Sequence, residues 1–328
     1  MMKRSITLLL LSWVWMLAGC ATGPIDRQSR VIARDDAFMV VQMGRESTRK
    51  LAQRYLGSEA KYWVIEDANR AEDLVPGGHV VIPLNDLNPT GIEAAGYQTV
   101  PILCYHRFGG RGGKLEVSAS QFREQMQYLL SNGYRVIPLD DLLGFLRGEK
   151  AIPKRSVVLT IDDGHRSIYK VAFPILKEFQ FPATIFLYTD YMNRGGLTTR
   201  ELRTMKRSGL ISVQPHSKSH ANLTRRKADE SRQQYLHRVD NEVEAPIEAI
   251  SQKLGTTPHY YAYPFGATNE KVIDILKEHG VVMGLTVESE SNAAFTYPYT
   301  LHRSMIYGDR NLDAFVRRLQ TYQARRDK

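Results

Sequence analysis

The sequence predicts an α/β protein, with parallel strands wrapped by helices as a barrel or an open sheet. From Val100 onward, short apolar runs alternate with amphipathic stretches at helical spacing. One run, Val157 to Ile161, ends abruptly in Asp162-Asp163-Gly164. A buried strand does this when it delivers side chains to a cleft at the carboxyl end of a sheet. Residues 36–84 read separately as strand, helix, helix, strand, so a small domain precedes the large one.

The N-terminus is a processing segment. Lys3 and Arg4 precede a short apolar stretch, Ile6 to Leu17, and then Leu17-Ala18-Gly19-Cys20. This resembles the lipobox of bacterial lipoproteins. The resemblance implies a signal peptide over 1–19, lipidation of Cys20 and a polar tether over 20–35. Ala21, where an Asp would imply inner-membrane retention, implies an outer-membrane lipoprotein facing the periplasm. Cys104 is then left without an intramolecular partner, and its apolar run suits an inert buried thiol. The net charge is +9. Charge alone would admit nucleic acid, but an export signal argues against it and favours anionic lipid, anionic glycan or plain solvated charge.

In residues 36–84, Phe38 to Val41 reads as a strand, Ser47 to Tyr55 as a helix capped by Ser47, Tyr62 to Ala68 as a helix, and His79 to Pro83 as a strand after Pro76-Gly77-Gly78. With Asn69 and the Pro-Gly-Gly-His-Val-Val-Ile-Pro ending, this βααβ order resembles a LysM carbohydrate-binding domain. Its opening is altered to Gly44-Arg45-Glu46-Ser47. Residues 85–98, with Asn88-Pro89, Gly91 and Gly96, read as a linker.

The second domain, 99–328, starts with an apolar run, Val100 to Tyr105, ending at His106. Helices follow at Ser118–Leu130 (Ser120 a candidate cap), Asp140–Leu146, Ser167–Phe179 with Pro174 inside, Thr198–Ser208, Asn269–His279 and from Leu312. The apolar stripe from Leu236 to Leu254 is a helix that Pro246 should break or bend. Strands are expected at Tyr134–Leu139, Val157–Ile161, Ala183–Tyr188, Leu210–Val213, Tyr260–Tyr263, Val281–Val287 and Tyr299–Ile306.

The chemistry concentrates at three places. Asp162-Asp163-Gly164 also suits a plain turn. Past another strand end, however, His216-Ser217-Lys218-Ser219-His220 sets two imidazoles four residues apart, able to face one ion if the segment turns helically. Two imidazoles and a carboxylate with open positions form a catalytic rather than a structural metal site. Thr160-Ile161-Asp162-Asp163-Gly164, the His-Ser-Lys-Ser-His run and Tyr263-Pro264-Phe265-Gly266 resemble, in order and spacing, the three leading motifs of the polysaccharide deacetylases (NodB-homology, carbohydrate esterase family four). Tyr105-His106 and Gly284 to Glu288 resemble the branch acting on poly-N-acetylglucosamine-type exopolysaccharides. The resemblance implies a distorted (β/α) barrel with fewer than eight strands, and a hydrolase removing N-acetyl groups from an envelope glycan or exopolysaccharide such as peptidoglycan or poly-N-acetylglucosamine. It implies a divalent ion, Zn2+ first with Co2+ or Ni2+ as alternatives, held by Asp163, His216 and His220. It further implies Asp162 as general base, a backbone N–H near Tyr263 as an oxyanion donor, and Tyr263, Pro264 and Phe265 as a wall of the substrate groove.

Two departures stand out. The family arginine that orients the base is missing before Tyr263, and Arg303 is the candidate to replace it. In Leu301-His302-Arg303, arginine stands where the family places its acid histidine. Arginine does not release a proton, so His106 or His302 supplies the acid, with His106 favoured because it ends a strand-like run. The competing reading is a catalytically lapsed, membrane-anchored glycan-binding scaffold.

Overall fold

The computed structural model describes residues 27–85, 87–110 and 113–325. The signal segment, Cys20 and the first part of the tether lie outside the described residues. The chain divides into two compact units, with the boundary between Asn85 and Asp86.

In the first unit, β1 (Arg30–Arg34), β2 (Phe38–Gln42) and β3 (His79–Pro83) form an antiparallel sheet in that order, and α1 (Thr48–Leu56) and α2 (Tyr62–Ala68) pack on it. Ser47 caps α1, accepting from the N–H of Lys50, as its sequence position predicts. Alternate residues of β2 and β3, Met39, Val41, Val80 and Ile82, meet Leu51 and Ile65 of the helices in one core. Asn69 fastens α2 to β3: its amide donates to the carbonyls of Ile65 and Val81 at 2.6 and 2.7 Å, and its oxygen accepts from the Val81 N–H at 2.8 Å. Strand β1 corrects the expected tether, which reached residue 35. Every residue of this edge strand is exposed, so it carries no in-out alternation to betray it.

The second unit is a distorted parallel barrel. Its strands are β4 (Gly96–Tyr105), β5 (Ser156–Ile161), β6 (Ala183–Leu187), β7 (Ile211–Pro215), β8 (Tyr260–Ala262), β9 (Met283–Leu285) and β10 (Ser304–Met305). Parallel ladders join β7 to β6, β6 to β5, β5 to β4 and β4 to β10. Another joins β8 to β9, and a parallel bridge between Leu285 and Leu301 carries β9 on toward β10. Between β7 and β8 a side chain stands in for a ladder: Gln214 Oε1 accepts from the N–H groups of His259 and Tyr260 at 3.0 and 3.1 Å. Of the barrel and open sheet that the strand–helix alternation allowed, the structure is the barrel that the family resemblance implied. The expected linker is shorter, because β4 already begins at Gly96 and pairs with Ile92–Glu93.

The helices are α3 (Ala119–Ser131), α4 (Leu139–Leu146), α5 (Phe173–Phe179), α6 (Thr199–Arg207), α7 (Arg232–Leu254), α8 (Glu270–Glu278) and α9 (Leu312–Val316). Ser118 caps α3, not Ser120, because only Ser118 can share a reciprocal capping box with Gln121. The expected strand at 134–139 shrinks to Arg135–Val136. Pro174 has no N–H to return to the preceding turn; α5 starts beside it and a π turn, Ile168–Ala172, precedes it. Pro246 does not break α7, which runs unbroken past it. The reason lies in what takes up the freed carbonyl, described below. Inside the barrel, Val100, Ile102, Val158, Phe186, Tyr260 and Met283 pack together, while Leu103, Leu159, Ile161 and Ile185 meet the surrounding helices. Among the described residues no helix is long and apolar enough to cross a membrane.

Candidate active site

The site is assembled at the carboxyl ends of the barrel strands, where side chains leave the ladder and face the cleft. Along β5, Val158 and Thr160 point inward and Val157, Leu159 and Ile161 outward, so Asp162 falls on the inner side. Its N–H still donates to the Tyr105 carbonyl at 2.9 Å, extending the ladder by one residue. Asp163 then turns left-handed, with φ of 73°, and its carboxylate joins the same cleft. Gly164 completes the turn at φ 78°, and a Cβ there would lie 2.1 Å from Leu187 Cδ1.

The two acids have opposite surroundings. Asp162 is 1% exposed and Arg303 0%. The guanidinium grips the carboxylate with both nitrogens, Nη1 to Oδ1 at 2.7 Å and Nη2 to Oδ2 at 2.8 Å, while its Nε donates to the Thr286 carbonyl at 2.8 Å. Burial, the largest single influence, would raise the Asp162 pKa, but the Arg303 charge and hydrogen bonds together with the nearby His216 and His106 outweigh it and hold the carboxyl well below the ordinary range. Arg303, the sequence candidate for orienting Asp162, thus grips that carboxylate directly. Cys104 lies against the same carboxylate, Sγ 3.4 Å from Oδ2, and burial pushes its thiol up, as an inert cysteine requires.

Asp163 faces two imidazoles. Its Oδ1 is 3.4 Å from His220 Nε2 and 3.9 Å from His216 Nε2, and the three donor atoms lie within 4.8 Å of one another. His216 Nδ1 is 2.7 Å from the Ala262 carbonyl, which can only accept, so Nδ1 carries the proton and Nε2 presents its lone pair to the cleft. Burial lowers the His216 pKa, which favours the neutral ligand form. One carboxylate, two imidazole rings and a backbone partner fixing the His216 tautomer fit a divalent ion. The pair does not meet by a helical turn, as the spacing suggested. Ser217 and His220 are both left-handed, with φ of 68° and 62°, and the His220 N–H closes back on Ser217 Oγ at 2.8 Å.

Of the two candidate acids, His106 is at the site. It follows β4, is half-buried, and lies in a close group with Cys104 and Asp162, its Nδ1 enclosed without a hydrogen-bond partner. His302 is not. Its ring lies 3.7 Å from each of Glu288 and Glu290, because strand alternation turns it away when Arg303 points inward. The expected groove wall also needs correction. Tyr263 is buried, its hydroxyl donating to the Tyr299 carbonyl at 2.8 Å, and Pro264 is buried with it. The Tyr263 N–H is already committed to the Leu285 carbonyl at 3.1 Å, so it is not the oxyanion donor. Only Phe265 shows its ring: 64% exposed, left-handed at φ 61°, edge-on to His220. Tyr188, which the sequence reading passed over as a strand end, packs on His220 from another side and stacks on Tyr191.

Residues 149–284 match the family model for polysaccharide deacetylases. The barrel has the fold of solved deacetylases. The Streptococcus pyogenes deacetylase PplD, solved in complex with acetate, superposes with a TM-score of 0.61 at 23% identity, covering 68% of this chain and 98% of that one. Poly-beta-1,6-N-acetyl-D-glucosamine N-deacetylase of Staphylococcus aureus (strain MRSA252) is 26% identical over 199 residues, 59% of this chain and 68% of that protein. The Escherichia coli (strain K12) protein of the same description is 27% identical over 244 residues, 64% of this chain but only 36% of its own length. Within the second unit, residues 149–284 thus carry the polysaccharide deacetylase match, on a fold shared with solved deacetylases.

Proposed function

We propose that the chain is a divalent-metal-dependent N-deacetylase of a poly-β-1,6-N-acetylglucosamine-like exopolysaccharide. The observation that carries this reading is the division of labour between adjacent acids: Asp163 is gathered with His216 and His220, and Asp162 is held as an ion by Arg303. When bound, the ion supplies Lewis acidity for the acetamide carbonyl and lowers the pKa of water. Asp162 then takes the proton of the attacking water. Arg303 keeps Asp162 oriented and ionised for that role. His106 gives a proton to the departing sugar amine, and Phe265 and Tyr188 flank His220 where a sugar ring can rest against them. The glycan is inferred from the relatives named above.

The test is acetate release from poly-β-1,6-N-acetylglucosamine oligomers, compared with chitooligosaccharide and peptidoglycan. Release from the first, stopped by a chelator and restored by Zn2+ or Co2+, supports the reading. Release that survives chelation, or none with any metal, defeats it.

We also propose that Cys20 carries lipid and holds the protein on the periplasmic face of the outer membrane, and that the first unit is a LysM-like glycan-binding domain. Support comes from the Leu-Ala-Gly-Cys sequence and from the βααβ core with its Pro-Gly-Gly turn. A Cys20→Ser protein that still fractionates with membranes would contradict the anchor.

A further inference from the structure

We propose that Glu242 is a positioning residue for the metal centre, holding the Ser217–His220 turn in the left-handed shape that aims His220 at Asp163. This rests on the metal reading above. Glu242 lies mid-way along α7 and is 6% exposed. Its carboxylate accepts from three donors of one turn: the N–H of Lys218 at 3.0 Å, the N–H of Ser219 at 2.9 Å and the Ser219 hydroxyl at 2.6 Å. A buried carboxylate is costly unless such bonds compensate it, and an apolar side chain would pack α7 at no such cost. The turn it grips contains two left-handed non-glycine residues, Ser217 and His220, a conformation L-residues hold only when their surroundings impose it.

The backbone of the same residue does a second task. Pro246 has no N–H, so the carbonyl four residues earlier, that of Glu242, has no helical donor. That carbonyl instead accepts from the Lys218 N–H and from the Tyr261 hydroxyl, both at 3.2 Å. Tyr261 immediately precedes Ala262, whose carbonyl fixes the His216 tautomer. Both imidazoles are thus tied to one helical residue, His220 through its turn and His216 through the strand beside it. The proline in α7 is what makes the second tie available.

The test is titration of the full metal-free protein with Co2+ alone, followed calorimetrically. Glu242→Gln offers an amide where the turn presents donors, and its Co2+ affinity should fall about 10–100-fold, the loss usual for an outer partner of a metal ligand. Its activity should return toward wild type at saturating Co2+. Glu244→Gln, on the exposed side of the same helix, should bind as the wild type does. If Glu242→Gln binds Co2+ as tightly as wild type, Glu242 has no positioning role and the proposal is overturned, with the metal reading intact. If the wild type itself binds no Co2+, the metal reading fails and the proposal falls with it. Should Glu242→Gln not fold, Glu242→Asp decides. It keeps the charge in the same buried place but sets the carboxylate one methylene short of the Lys218 and Ser219 donors, so Co2+ affinity should drop. Unchanged affinity in that variant overturns the proposal.

Discussion

Asp162 and Asp163 are neighbours in sequence, yet the two sides of their turn are built on different physics. On one side a buried, permanently charged guanidinium neutralises Asp162 with two hydrogen bonds. On the other, Asp163 is more open and meets imidazoles, one of them kept neutral by burial. Two acids side by side repel unless each has its own partner. Here one partner is Arg303, and on the proposed function the other is a divalent ion. The contrast is what the proposed roles rest on: the acid with a fixed cation as the base, and the acid facing two imidazoles as the ligand.

The largest effect should come from the base. Asp162→Asn should lower turnover about 10²–10⁴-fold without reducing metal stoichiometry, checked by acetate release and elemental analysis. Full activity in that protein would erase the contrast. Next is the cation that holds it. Arg303→Met strands a buried carboxylate, which should destabilise the fold by about 3–5 kcal/mol in denaturant titration. Pairing Arg303→Met with Asp162→Asn should recover much of that stability and none of the activity. The sign in pH follows from the lowered Asp162 pKa. The folded carboxyl stays ionised where the unfolded one, near 3.9, takes up a proton. The pair's contribution is therefore complete above about pH 4 and is lost as pH falls further. In urea melts across this range, wild type should lose stability more steeply than the double variant. A flat difference would mean that Arg303 does not set the Asp162 charge.

How much of this was legible beforehand depends on whether a residue acts through its own spacing or through distant chain. The acids, the histidine pair and the βααβ order stand in local sequence, and α2 and β3 fall where their patterns put them. Arg303 was legible only as a departure from a familiar pattern, since 141 residues separate it from Asp162. Glu242 was not legible at all: on α7 it is one carboxylate among several, and only the folded turn 23 residues away explains it. That Pro246 leaves α7 unbroken was hidden for the same reason, because a helix tolerates proline when the carbonyl it frees finds donors elsewhere. Strand β1 was missed because all of its residues are exposed.

A smaller effect should separate the histidines. His106→Ala should reduce kcat while leaving metal affinity in place, and His302→Ala, whose ring sits between Glu288 and Glu290, should change kcat little. The reverse ranking would move the acid to the other side of the strand.

The most direct test of the central claim is the metal content of the purified, dialysed protein beside that of His216→Ala. One divalent ion per wild-type chain, lost in His216→Ala, is the predicted result. No ion in folded wild type, or an ion that His216→Ala retains, would contradict it.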